Sequence, residues 1–279
     1  MNKNIPTIGK TNPLRKFWAN FCGAFIANKS KRRIVRERIL RGIYAMRNSN
    51  VDFAVSAGGT CRVAYYLRLL GLRKFSAPFD WLTGYDLDAW FLALEKGGIE
   101  NILVHWEEIT SDFNGKERAV KDTDTGLLAL HEFSMKSSVV EQMPEFREKM
   151  RRRSEKLRRS LDSAKNVGIV IQRNLSDEEL LGFAEKLSSL YPGLKFRLLN
   201  TLHRPEEERC PHPGKQKEWR LISKTERYIL AQAAFFDYAF DVERNCEDWH
   251  GNATIWPQAI KEFFKKNSEI DKMTPEKIS

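Results

Sequence analysis

The chain has 279 residues, 42% of them hydrophobic, enough for one large core or two small ones, so disorder throughout is excluded. No apolar run approaches the roughly 18 residues that a membrane-spanning helix needs. The net charge is +10, but residues 1–42 hold eleven Lys or Arg against one acid, and the rest is balanced at 36 against 36. A nucleic-acid-binding domain spreads basic residues over a folded face, so a neutral domain makes nucleic acid the least favoured partner.

Phe17 to Ala27 (FWANFCGAFIA) is apolar, too short to cross a bilayer, and flanked by Arg15, Lys16, Lys29, Lys31, Arg32 and Arg33. It reads either as an interfacial anchor on an anionic membrane surface or as a helix packed on the domain. A basic amphipathic helix is expected at about residues 30–46. Val51–Ser56 then reads as a short buried strand, and Ala57, Gly58 and Gly59 as a tight turn. A helix follows, with Thr60 as N-cap and Val63, Ala64, Leu67 and Leu70 on one face until Gly71 stops it. An irregular stretch, Arg73–Trp81, precedes a helix expected from about Asp86 to Lys96, and the apolar run Leu127–Leu130 predicts a strand ending before His131.

Pro144–Ala164 carries the stripe Phe146, Met150, Leu157 and Leu161 and predicts a helix with a solvated basic face. A strand at Val167–Gln172, a helix opened by Ser176 and Glu179 and reaching Leu190, and a strand at Lys195–Thr201 predict a parallel pair joined by a crossover. A polar loop from His203 to Lys217 and a C-terminal part with Trp249, His250, Gly251 and Trp256 complete the chain. The expected fold is α/β, a central, mainly parallel sheet with many flanking helices and Cys61 at a strand-to-helix junction. Three parts are expected: a basic, aromatic arm at 1–46, a domain at 47–265 and a charged flexible tail at 266–279.

The cysteines Cys22, Cys61, Cys210 and Cys246 form no CxxC, and no cleavable signal peptide opens the chain, which suits a reducing cytosol. The expected location is cytoplasmic, with the arm adding a peripheral position at the inner face of a membrane. In the first turn of a helix, Cys61 would meet unpaired backbone N–H groups and the macrodipole, both of which favour a thiolate. The same N–H groups, near Gly59, Thr60 and Arg62, could hold an oxyanion. A thiolate nucleophile needs a base, and His131, directly after a strand, is better placed than His105 or His250. Glu132 alternates to the opposite strand face, so the orienting acid stays open among Asp122, Asp124 and distant residues. The spacing of His203, Cys210 and His212 fits no standard zinc site, and the chain has no GxGxxG, P-loop, HExxH or GxSxG motif. Neither metal nor cofactor is expected.

Val55–Leu82 (VSAGGTCRVAYYLRLLGLRKFSAPFDWL) resembles the signature of a bacterial family described as "putative papain-like cysteine peptidases". The residues shared with that pattern are Ser56, Gly58, Cys61, Gly71, Leu72, Arg73, Ser76, Pro78, Phe79, Asp80 and Trp81, with a second block at His131, Glu132 and Phe133. Thr60 stands where the family has Asn, and Glu132 where it has Asp. The resemblance implies Cys61 as nucleophile and His131 as base. It also implies a cysteine hydrolase or acyltransferase connected with surface-polysaccharide metabolism, acting on a carbonyl-containing small molecule, glycan or peptide. The rival expectation is a non-catalytic membrane-surface or glycan-binding module in which Cys61 is structural and Arg73, Ser76, Asp80 and Trp81 line a cleft.

Overall fold

The computed structural model describes residues 44–275 except 114, 204–216, 238–239, 242–245 and 248–249, and only the backbone of 240, 241, 246 and 247. The segment 17–27, Cys22, Cys210, His212 and Trp249 therefore lie outside the described residues.

A five-stranded sheet forms the centre, in the spatial order β1 (Phe53–Ser56), β6 (Asn166–Gln172), β7 (Lys195–His203), β9 (Tyr228–Phe235) and β8 (Lys217–Lys224). The first four strands run parallel, and β8 closes one edge antiparallel to β9. The pleat sends alternate side chains to opposite faces. Phe53 and Val55, Val167, Ile169 and Ile171, and Phe196 and Leu198 enter one apolar core. Ala54, Val170, Leu199, Ala231, Ala233 and Phe235 enter the other. Strands buried on both faces read as continuous apolar runs, which is why VGIVIQ and the strand after it are recognisable without their neighbours.

Helix α1 (Cys61–Leu69) and α4 (Ile255–Phe264) supply side chains to the second core. Helices α2 (Val139–Ser163) and α3 (Asp177–Leu190) supply the first. The capping box expected for α3 is present: the Ser176 Oγ accepts from the Glu179 N–H at 3.2 Å, and Glu179 accepts from the Ser176 N–H at 2.8 Å. Helix α2 starts at Val139, five residues before the predicted Pro144, because Ser138 and Glu141 form a second capping box. Pro144 is tolerated since the carbonyl it orphans belongs to Val140, whose residue is exposed.

Between α1 and α2 lies a second, antiparallel sheet in the order β2 (Leu82–Thr83), β5 (Leu128–Ser134), β4 (Glu117–Asp122) and β3 (Trp106–Phe113). The helix expected over 86–96 is instead a short 3-10 segment, Asp88–Ala93, with a second, Gly98–Asn101, just beyond that range, and Trp90 and Phe91 pack on Phe183 of α3. Gly97, left-handed at φ 79°, separates the two segments. The strands β8 and β9 and the helix α4 occupy a stretch in which the sequence predicts only a polar loop and a C-terminal part without elements. Two short strands, β10 (Phe240–Asp241) and β11 (Cys246–Glu247), pair antiparallel beyond β9. Within residues 266–275, part of the expected tail, Ser268 and Ile270 are buried, and Asp271 pairs with Arg197 of β7 at 2.5 Å. The described helices are all too short or too polar to cross a membrane.

Candidate active site

The carboxyl ends of β1, β6, β7 and β9 meet at one edge of the parallel sheet, where ligands bind in open α/β folds. β1 leads there through Gly58 and Gly59, both left-handed at φ 96° and 97°. A Cβ on Gly58 would lie 1.9 Å from the Tyr85 hydroxyl, and one on Gly59 1.8 Å from the Gln172 carbonyl oxygen at the end of β6. Only glycine fits either place. The turn is pinned further by the Gln172 N–H, which donates to the Gly58 carbonyl at 3.1 Å, and by the Gly58 N–H, which donates to Ser56 Oγ at 3.2 Å.

Cys61 is the first residue of α1, as expected, and its thiol is free. Thr60 occupies the N-cap position but does not cap. Its hydroxyl donates to Gln172 Oε1, so the side chain that could have satisfied the first helical N–H groups is turned to β6. The expected depressed thiol pKa is not what results. Burial pushes the Cys61 thiol up to about 11, the nearby carboxylates of Asp80 and Glu132 push it the same way, and its own backbone N–H only partly opposes them. Desolvation outweighs the helix terminus, so at neutral pH the thiol is protonated.

Next to it, Arg62 forms a buried ion pair with Asp237, which follows β9. Asp237 also accepts from Gln172 Nε2 at 2.7 Å, from Trp256 Nε1 of α4 at 2.8 Å and from the Asn252 N–H at 2.9 Å. A Cβ on Gly251 would lie 2.2 Å from the same carboxylate, which gives the Gly251–Asn252 block its meaning. The Arg62 side chain is thus engaged with Asp237, while the role expected of Arg62 rests on its backbone N–H. Asp237 has no sequence signature, since nothing local marks an acid that four distant groups converge on.

Arg73, Ser76 and Asp80 come together as one unit. Arg73 Nη2 donates to Ser76 Oγ at 2.7 Å, and its Nε pairs with Asp80 Oδ2 at 2.6 Å. That same oxygen accepts from the Ala77 N–H at 2.8 Å, closing the short 3-10 turn Pro78–Trp81. Burial raises the Asp80 pKa and lowers that of Arg73, each opposed by the charge of the other. Trp81 is half-buried beside them.

His131 lies inside β5 rather than after it, in a bulge where Leu130, His131 and Glu132 oppose the single residue Ala119 of β4. Its side chain is 37% exposed and its Nδ1 is 3.4 Å from Glu117 of β4, with the Phe113 ring against it. Glu132 turns inward, with only 5% of its side chain exposed, to Lys149 and Arg153 of α2. Glu117 is therefore the acid beside His131. Asp122 is consumed by the backbone N–H groups of Leu103, Asp124 and Thr125, and Asp124 pairs with His105. Among the described residues no hydrogen bond joins the Cys61 thiol to His131. The structure brings Cys61, Thr60, Arg62, Gln172 and Asp237 together, and leaves His131 with partners of its own on the antiparallel sheet. Among the described residues no group of His, Cys, Asp and Glu could hold a metal ion.

Comparison with known proteins gives two matches. The profile of the family described as "Putative papain-like cysteine peptidase" matches residues 52–205, more than half of the chain. An uncharacterized protein of Acanthamoeba polyphaga mimivirus is 46% identical over 39 residues, which cover 14% of this chain and 18% of that protein. The chain thus aligns with under a fifth of that relative's length. No solved structure matches. The family match stops before β8, so Asp237, Asn252 and Trp256 lie beyond it.

Proposed function

Because the chain belongs to the family described as "Putative papain-like cysteine peptidase", we propose that it is a cysteine-dependent hydrolase with Cys61 as nucleophile. The observation that carries this reading is the two-glycine turn that sets Cys61 at the start of α1, on the carboxyl edge of a parallel sheet, with its helical N–H groups uncapped by Thr60. In the proposed reaction His131, oriented by Glu117, takes the thiol proton as Cys61 Sγ bonds to the carbonyl carbon of an ester, thioester or amide. Backbone N–H groups from Gly59 to Arg62 hold the oxyanion. Collapse breaks the bond to the leaving group, which takes the proton back from His131. Water then hydrolyses the thioester and releases the acid. An acceptor hydroxyl in place of that water would make the same site an acyltransferase, and a glycan, peptide or small molecule could carry the carbonyl.

The high thiol pKa requires the base to act in concert with substrate binding, because no standing thiolate is available near neutrality. It also favours a second reading, a binding module with a structural Cys61. Screening ester, thioester and peptide substrates against wild type and Cys61→Ala separates the two. The hydrolase reading expects turnover that Cys61→Ala abolishes and that His131→Ala lowers mainly in kcat; equal turnover in Cys61→Ala would end it. We further propose that residues 1–42, with their segregated +10 charge, hold the protein against an anionic membrane surface. Deleting them should release the protein from anionic vesicles and leave Cys61 alkylation unchanged.

A further inference from the structure

Arg173, the residue after β6, has no place in the reaction above, yet it is built into the same edge. Its backbone is clamped by the buried Asn200 of β7, which accepts from the Arg173 N–H at 3.3 Å and donates to its carbonyl at 3.1 Å. Its guanidinium lies over the Tyr85 ring, 4.6 Å from the centroid. The Tyr85 hydroxyl is the atom that a Cβ on Gly58 would strike, so the cation sits behind the turn that presents Cys61. The Nε and Nη2 atoms, the edge of the fork that grips a carboxylate or phosphate with two parallel bonds, have no hydrogen-bond partner among the described residues. The fully buried Tyr85 hydroxyl has no well-formed hydrogen bond either, and the Arg173 guanidinium is the group close enough to favour its charged form. Arg173 as a whole is half-buried, with Nε and Nη2 themselves covered, so a ligand reaches them only when the side chain or its cover shifts.

Native structures rarely leave such groups unsatisfied. The neighbouring cations each have an ion-pair partner, Arg62 in Asp237, Arg73 in Asp80 and Arg153 in Glu132, although Arg73 Nε also lacks a well-formed hydrogen bond. Arg173 has no ion pair among the described residues. We infer that Arg173 and Tyr85 form an anion subsite beside Cys61, and that the substrate carries a carboxylate or phosphate near its scissile carbonyl. This rests on Cys61 being the nucleophile.

The probes are iodoacetate and iodoacetamide, which differ in one carboxylate, applied to the full chain at about pH 8.5 with labelling mapped to Cys61 by peptide mass. The ratio of iodoacetate to iodoacetamide rates should exceed that of glutathione by about tenfold, and fall to it in Arg173→Gln, with the iodoacetamide rate unchanged. A wild-type ratio equal to that of glutathione overturns the inference. Unfolding temperature at fixed ionic strength supplies an arm that does not need a reactive cysteine. Acetate, phosphate or both should raise it over chloride in wild type and not in Arg173→Gln, and which anion acts separates a carboxylate from a phosphate ligand. Equal shifts in the two proteins overturn the subsite. Anion binding with a Cys61 inert to both reagents would overturn the nucleophile reading instead.

Discussion

The two sheets hold their candidate residues by different means. At the parallel edge every group around Cys61 is fixed by something distant in sequence: Gly59 by the Gln172 carbonyl, Thr60 by the Gln172 side chain, Arg62 by Asp237, and Asp237 by α4. On the antiparallel sheet, His131 sits in a bulge, over a third exposed, held by one acid and one ring. On the proposed reading this is a division of labour, in which Cys61 is preorganised by the fold and His131 is left able to move. It also ranks what substitution should do, since buried and crowded positions respond strongly and exposed pairs hardly at all.

The sharpest way to break the comparison is Gly59→Ala. The new methyl would meet a backbone carbonyl, which cannot rotate away, at a left-handed φ that disfavours any side chain. A loss of several kcal/mol in denaturant unfolding is expected, roughly 3 or more, along with loss of Cys61 presentation. A loss under about 1 kcal/mol would mean that the turn is not rigid. Asp237→Ala comes next. It removes the carboxylate paired with the buried Arg62 guanidinium and unpairs Gln172 Nε2 and Trp256 Nε1, at a cost of about 3–5 kcal/mol. Asp237→Asn keeps the shape and should cost less. Because Asp237 lies outside residues 52–205, this variant also tests whether the working unit extends past the family match.

The parts that sequence can reveal are those with local causes. β6, α3 and β7 are readable because apolar runs and a capping box are written in adjacent residues, and the parallel pair follows from their order. The Cys61 turn is readable because a Gly-Gly pair between an apolar run and a helical stripe is itself a turn signal. β8, β9 and α4 are not, because the polar stretch before them gives no cue that sheet resumes. Asp237, Glu117 and Arg173 are invisible for a different reason: each is defined by partners 14 to 175 positions away, so no window contains its meaning. The thiol pKa runs against the sequence expectation because a helix terminus shows in sequence and the depth of burial does not.

Glu132 offers a smaller test, because its charge raises the Cys61 pKa without touching the turn. In Glu132→Gln that charge is gone, the thiolate becomes less costly, and the inflection in iodoacetamide rate against pH should move down from about 11. Below the inflection the rate should still climb about tenfold per pH unit in both proteins, since only the thiolate reacts. An unmoved inflection would mean that burial and Asp80 set the pKa without Glu132.

The smallest effect is expected at Glu117. Its link to His131 is 3.4 Å long and both side chains are well exposed to solvent, so Glu117→Gln should change stability by no more than about 1 kcal/mol. Its consequence for turnover is the informative part. If His131 is the base and Glu117 orients its ring, kcat should fall several-fold with KM unchanged. A purely structural pair would move neither. If His131→Ala leaves kcat untouched while Cys61→Ala abolishes turnover, the base is not His131. The search would then pass to His203, whose Nδ1 already accepts from the Asp237 N–H at 3.2 Å on the rigid edge. In that case both catalytic groups would belong to the preorganised sheet, and the contrast drawn between the two sheets would fail.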